Sequence, residues 1–312
     1  MTNARQEKRS MRLRTPLAAL AAIALVPLTG CGAADDAGAV SAKAPAATKP
    51  AAQRNDQAFQ NLEKQYDARL GVWALDTGTG KVVAWRADER FAYASTSKVP
   101  LAGTVLRQDS IKRLDHVVKY TKADLVANSP ETEKHVDTGM TIRELCDAAL
   151  RFSDNTAANL LFREIGGPSG LSAALRRIGD HTTHPDRVEP DLNTAIPGDV
   201  RDTSTPRQFG TDLRAYTLGH VLPRPKRDLL IDWMRRNTTG DKVIRAGVPA
   251  DWTVGDKTGT ADYGTRNDIA VAWPPHRAPI VIAVLSTRST KDAATNDDLV
   301  RDAAKVVVGD LT

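Results

Sequence analysis

Ile280-Val281-Ile282-Ala283-Val284-Leu285 carries apolar side chains at odd and even positions alike. Successive side chains of a strand point to opposite faces, so such a run has to be covered on both sides. The sheet it belongs to is therefore flanked by helices, which sets an α/β fold class. Upstream, Trp252 to Thr260 and Asp268 to Trp273 read as two further strands. Downstream, Leu299, Val300, Ala303, Ala304 and Val307 form a helical stripe. The other end of the chain supplies matching pieces. Leu70 to Asp76 and Lys81 to Arg86 are short apolar runs split by Thr77-Gly78-Thr79-Gly80, a hairpin signal. Before them, Phe59, Leu62 and Tyr66 recur at helical spacing after Asn55-Asp56, good N-cap residues. From about Ser95 to Trp233 helical patterns dominate. The expectation is an antiparallel sheet flanked by helices, built from about 55–90 and 240–312, with an all-α part over about 91–239. A site is expected in the cleft at their junction.

The first thirty residues do not belong to this unit. Arg5, Lys8, Arg9, Arg12 and Arg14 precede an apolar run from Pro16 to Leu28, too short to span a bilayer comfortably. That order reads as a secretory signal over residues 1–30. It ends in Leu28-Thr29-Gly30-Cys31, which looks like a bacterial lipobox, a signal in which cleavage leaves Cys31 N-terminal with a lipid on its sulfur. Residues 31–54, rich in Ala with Pro45 and Pro50, read as a disordered tether. The remaining 258 residues, 55–312, suffice for one large core or two interleaved domains.

The formal charge of +5 belongs mostly to the leader. Its five basic residues and one acid, once removed, leave 38 basic against 37 acidic residues, a net charge of +1. No basic block of five or six remains, so the sequence offers no footprint for nucleic acid. Cys146 sits in an apolar helical pattern with Leu145 and Leu150 and reads as a buried structural thiol.

Four short motifs occur once each, in this order: Ser95-Thr96-Ser97-Lys98, Ser153-Asp154-Asn155, Glu189-Pro190-Asp191-Leu192-Asn193 and Lys257-Thr258-Gly259. If Ser95 opens a helix, Lys98 lies one turn on along the same face, where its amine reaches the hydroxyl. A serine hydroxyl is a poor nucleophile until a base takes its proton. Ser153-Asp154-Asn155 falls between two apolar helical patterns, on a tight loop or a helix start. The Glu189 segment lies in a long irregular stretch, about His181 to Thr205, and such stretches tend to be functional. Arg187 and Asp202 flank it and could pair across its neck, and Glu189–Pro190 is a candidate cis peptide. Lys257-Thr258-Gly259-Thr260 falls in a strand, where Gly259 would let a ligand approach the backbone. Each motif alone also reads blandly, as a helix start, a cap cluster, a solvated loop or a β-ladder. About one chance Ser-x-x-Lys match is expected in a chain this long. The combination in order supplies a nucleophile, bases, a proton carrier and a cationic clamp.

Three of these motifs are the signature of class A β-lactamases and penicillin-binding proteins. From about Asp56 to the C-terminus the chain resembles a class A (serine) β-lactamase. The resemblance implies the β-lactamase/D,D-peptidase-like fold and hydrolysis of a small-molecule β-lactam, hence antibiotic resistance. It implies that Ser95 attacks the β-lactam carbonyl, with the N–H groups of Ser95 and Thr260 as the oxyanion hole. Ser153 would pass a proton to the departing nitrogen. Lys98 or Glu189 would take the serine proton, and Glu189 with Asn193 would hold the deacylating water. Asn155 would bind the substrate's side-chain amide. Lys257, Thr258 and Thr260 would bind its carboxylate, with Arg266 as a second cation. A monomer is expected, with no cofactor. His181 and His184 stand three apart without a companion ligand set, so no metal is expected either.

Two rivals share parts of this pattern. A D,D-peptidase of cell-wall synthesis has Ser-x-x-Lys and Lys-Thr-Gly but lacks the deacylating glutamate, and Glu189 to Asn193 speak against it. A penicillin sensor would need a transmembrane signalling segment, and the region after the leader shows no such period. Asn128 stands where the cleft rim of the family often carries an aromatic residue. Ala94 and Ala261 stand where a carbapenem-hydrolysing subgroup carries a disulfide. Both argue against that subgroup.

Overall fold

The computed structural model describes residues 51–312, with side chains from Asn55 onward. The leader, Cys31 and the expected tether up to residue 50 lie outside the described residues. The first helix, α1 (Ala51–Tyr66), begins four residues ahead of the expected boundary. Ala51 and Ala52 favour helix, so Asn55 and Asp56 sit inside it rather than capping it.

The chain then forms the hairpin β1 (Arg69–Asp76) and β2 (Val82–Trp85), the short β3 (Phe91–Ala92), α2 (Lys98–Gln108), and the short β4 (Val117–Val118) and β5 (Met140–Thr141). Helices α3 (Ile142–Arg151), α4 (Asn155–Ile165) and α5 (Gly167–Arg176) lead to the irregular stretch, which ends in β6 (Thr203–Ser204). After α6 (Pro206–Thr217), α7 (Arg224–Arg235) and the single turn α8 (Ile244–Gly247) come β7 (Thr253–Ala261), β8 (Thr265–Trp273), β9 (Ile280–Thr287) and α9 (Asp297–Leu311).

The main sheet is antiparallel, in the order β2-β1-β9-β8-β7. Both chain ends therefore meet at its centre, where β1 pairs with β9 over eight residues. The alternation of β9 explains its composition. Ile280, Ile282 and Val284 pack with Leu70, Val72 and Ala74 of β1 and with Phe59 of α1 and Val300 and Ala304 of α9. Val281 and Ala283 face the other way, into a core shared with α2, α3, α4, α6 and α7. Helix α6 lies close on that face, because a side chain at Gly210 would strike the Trp73 ring of β1 at 2.2 Å.

The middle of the chain, expected to be all-α over about 91–239, is not purely helical. It contains two two-stranded ladders, β3 with β6 and β4 with β5. Two residues per strand are too few to leave a period in the sequence. The β3–β6 ladder matters for the site, because it ties the residues before Ser95 to the end of the irregular stretch.

That stretch is closed at its neck by Asp202, which is 1% exposed. Its carboxylate accepts from Arg187 Nε at 2.5 Å, from the backbone N–H groups of Asp186 and Arg187 at 3.0 Å each, and from the Tyr93 hydroxyl at 3.0 Å. The expected Arg187–Asp202 pair is thus one part of a larger hub. Removing one partner of a buried pair costs roughly 3–5 kcal/mol. Three other donors remain on Asp202, so Arg187→Ser should lose about 3 kcal/mol, at the low end. Urea unfolding measures the loss, and limited proteolysis should cut first between residues 187 and 202. Unchanged stability with an uncut loop would show that the pair does not hold the neck.

Candidate active site

Ser95 does not open an α-helix directly. It sits on a 3₁₀ turn, Ala94–Ser97, that leads into α2 at Lys98. Side chains three apart eclipse on such a turn, and Lys98 Nζ reaches Ser95 Oγ at 3.0 Å. The turn is wedged against β7. A Cβ at Gly259 would lie 2.9 Å from the Tyr93 carbonyl and 3.2 Å from Thr96. Gly259 therefore admits the serine turn itself, a more immediate need than the ligand approach read from sequence.

Lys98 is 1% exposed, and its ammonium is ringed by oxygen. Nζ lies 2.6 Å from Asn155 Oδ1, 2.8 Å from the Ser153 carbonyl, 3.4 Å from Ser153 Oγ and 3.0 Å from Glu189 Oε1. Burial pushes its pKa down from the ordinary lysine value, opposed chiefly by the Glu189 carboxylate. Glu189 Oε1 is also 3.4 Å from Ser95 Oγ. Ser95, Lys98 and Glu189 thus form a closed triangle in which one proton can move between three atoms.

Ser153-Asp154-Asn155 forms the opposite wall. Ser153 has φ +57, and Asp154 caps α4 by accepting the Ala157 N–H at 2.8 Å. Asp154 Oδ2 also holds the backbone N–H groups of Glu131 and Thr132, locking the loop above. Asn155 spends its carbonyl oxygen on Lys98 and its amide N–H on the Ala127 carbonyl at 2.9 Å. Its oxygen thereby positions Lys98, while the second amide hydrogen has no partner among the described residues. Asn128, at the rim, has φ +61 and donates to the Ser153 carbonyl at 3.1 Å.

On the third side, Asn193 Nδ2 donates to Glu189 Oε2 at 2.5 Å, and Asn193 Oδ1 has no donor among the described residues. Glu189–Pro190 is cis, as expected. The sequence reading missed Asn159, which clamps the Glu189 backbone from both sides, accepting its N–H at 2.9 Å and donating to its carbonyl at 2.8 Å. Asn159 is one turn beyond Asn155 on α4, so the helical period was a usable signal.

Strand β7 supplies the fourth side. Lys257, fully buried, donates from Nζ to Ser153 Oγ at 3.0 Å and to the Thr258 carbonyl at 2.8 Å. Burial, and then the neighbouring Lys98 charge, bring its pKa down to about 7. Thr258 Oγ1 meets Thr239 Oγ1 at 2.6 Å, the start of a relay through Asn237 and Asp256 to Arg245. Thr260 is exposed and accepts from Arg266 at 3.2 Å, while Arg266 Nε is held by Asp297 at 2.6 Å. Asn267, also missed, is buried on β8. It donates to the Ala92 and Tyr93 carbonyls and accepts the Ser286 N–H, stitching the segment before Ser95 to the sheet. A buried Asn in a run of β-formers was the signal for it.

Ser95, Lys98, Ser153, Asn155, Glu189 and Asn193 are thus linked by direct contacts, and Lys257 and Thr258 join them through Ser153. Gly259 packs on the serine turn, and Thr260 and Arg266 pair at the open edge. Among the described residues no cluster of His, Cys, Asp and Glu could hold a metal ion. Cys146 is buried with its thiol pKa pushed up by burial, away from these residues.

Comparison with known proteins agrees with this geometry. Residues 54–311 match the model of the β-lactamase enzyme family. The β-lactamase of Amycolatopsis lactamdurans is 60% identical over 267 residues, covering 86% of this chain and 88% of that one. That of Bacillus amyloliquefaciens is 57% identical over 264 residues, covering 85% and 86%. Among solved structures, the class A β-lactamase from Clostridium kluyveri DSM 555 is 54% identical, with a TM-score of 0.82, covering 83% of this chain and 99% of that one. Matches of this depth, over the whole of the sheet and the helical part, place the chain in the β-lactamase enzyme family, among its class A members.

Proposed function

We propose that the chain hydrolyses the β-lactam amide of penicillins, and of cephalosporins, through a serine acyl-enzyme, and so protects its host from these antibiotics. The triangle of Ser95 Oγ, Lys98 Nζ and Glu189 Oε1, at 3.0 to 3.4 Å, carries this reading. Ser95 Oγ bonds to the carbonyl carbon as its proton passes to the Lys98–Glu189 pair. If that pair is ionised the accepting base is Glu189, and if it is neutral the base is Lys98. The N–H groups of Ser95 and Thr260 take the developing oxyanion. The C–N bond then breaks, and Ser153 Oγ, placed between Lys98 and Lys257, delivers a proton to the nitrogen. Glu189 and Asn193 Oδ1 orient a water onto the ester, whose hydrolysis releases the acid and restores the Ser95 hydroxyl. Lys257, Thr258, Thr260 and Arg266 hold the substrate carboxylate. Asn155 positions Lys98 through its oxygen and offers its second amide N–H to the substrate's side-chain amide. The D,D-peptidase reading is disfavoured by Glu189, which lies 3.4 Å from Ser95 Oγ and can turn a water onto the carbonyl carbon of the acyl ester.

The leader and Cys31 support export with a lipid anchor on the outer face of the cell membrane, the tether holding the catalytic domain clear of the headgroups. Lipid attachment contributes about 0.8 kcal/mol per buried CH₂, so multiple chains hold what one chain would not. None of the described helices is long and apolar enough to cross a membrane.

Glu189→Ala removes the base that serves deacylation, a loss typically of about 10²–10⁴-fold. Intact-mass spectrometry after benzylpenicillin should show a long-lived adduct on Ser95, and its disappearance at the wild-type rate would sink the assignment. The Lys257 ammonium is present below its pKa of about 7 and is lost above it. KM for benzylpenicillin should therefore climb by up to about tenfold per unit between about pH 7 and about pH 9. Lys257→Arg, which stays protonated, should flatten that rise, and a wild-type KM constant across the range would place the carboxylate elsewhere. Cys31→Ser should move activity from the membrane pellet to the medium at unchanged turnover. Wild-type activity found wholly soluble, with unmodified Cys31 by mass, would mean an ordinary secreted enzyme.

A further inference from the structure

A cavity of about 1180 Å³ has none of Ser95, Lys98 or Lys257 in its lining. It lies between the C-terminal half of α1, β3, the end of β9 and residues 195–201 of the irregular stretch. Residues 189 and 193 of that stretch face the serine, so two parts of one loop serve two different concavities. The volume is slightly above the roughly 300–1,000 Å³ typical of small-molecule clefts.

Its charge is unbalanced. Arg69, Arg86 and Arg201 on its walls are neutralised by Glu89, Glu63 and Asp199. Lys64, Arg90 and Arg288 also line it without a carboxylate partner among the described residues, against a single unpaired carboxylate, Asp67. Arg90 spends its donors on the Thr182 carbonyl and the Thr203 hydroxyl. The guanidinium of Arg288 has no hydrogen-bond partner there. Both are half-buried, where a cation gains more from an anion than it would in open water. Part of the lining is apolar. Ile196 and Val200 are 48% and 51% exposed, and both belong to the loop wall. A cleft with two unneutralised guanidinium groups and a partly apolar lining suits a ligand with an acid group on an apolar body.

We propose that this cleft is a second binding site, separate from the serine centre, for a small amphiphilic organic anion. Arg288 and Arg90 take the anionic group, and Ile196 and Val200 cover the apolar part.

The probe is 8-anilinonaphthalene-1-sulfonate, an aromatic sulfonate, titrated by fluorescence into the full mature chain. Single-site saturation is expected, with native far-UV circular dichroism throughout. Arg288→Glu and Val200→Asp should each raise Kd by about tenfold or more, since charge-assisted contacts are the strong ones. Arg288→Lys and Lys257→Ala should leave Kd within about twofold, a change too small to count as loss of a contact. Equal binding by all variants, or no saturable binding to the wild type, overturns the proposal. Loss of binding in Lys257→Ala would overturn it too, by placing the probe in the serine centre. Binding that appears only after residues 32–50 are removed would assign the cleft to the chain's own tether instead. The experiment reads binding and not turnover, so its failure is separate from any failure of the β-lactamase reading.

Discussion

A lysine ammonium held out of water, with a carboxylate 3.0 Å away, is the constraint on which the rest of the structure turns. Taking two charges from water costs several kcal/mol each, and their attraction offsets this only with good geometry and full hydrogen bonding. Lys98 meets that demand with oxygens from three separate segments, Ser95, the Ser153–Asn155 loop and Glu189. Glu189 comes from an irregular stretch whose only regular pairing is at its ends, the His184–Thr203 bridge and the two-residue β3–β6 ladder. The pair can persist only if that stretch is held as firmly as a helix.

The molecule supplies that firmness through buried side chains bonded to backbone. Asn159 fixes the Glu189 peptide, Asp202 closes the neck, and the same Asp202 carboxylate receives the Tyr93 hydroxyl two residues before Ser95. Asn267 then ties Ala92 and Tyr93 to the sheet. Nucleophile turn, loop and sheet edge are thus referenced to one another through buried polar groups, each of them costly to leave unsatisfied.

A second buried lysine gives the cleft its polarity. Lys98 and Lys257 both contact Ser153 Oγ, and burial, then the Lys98 charge, bring Lys257 to about 7. Asp256 opposes that shift and is itself held by Arg245 and Asn237, so the protonation of the clamp depends on residues well behind it. Ser153, with its left-handed backbone between α3 and α4, places its hydroxyl between the two lysines.

The architecture was legible in the chain because it rests on local periodicities. The two-parity run of β9, the hairpin at Thr77–Gly80 and the α9 stripe each announce one element, and the Ile280–Thr287 strand falls where the alternation places it. The two-residue ladders were too short to announce themselves, and the start of α1 was hidden by an Ala-rich segment that suits helix and tether alike. Within a motif the spacing on one turn or one strand is a property of the sequence, as for Lys98 three residues after Ser95. What Asn155 and Gly259 do, and the existence of Asn159, Asp202 and Asn267 as braces, was decided only by tertiary structure. Their partners are fixed by how separate segments pack, and burial makes every such polar contact obligatory without leaving a pattern along the chain.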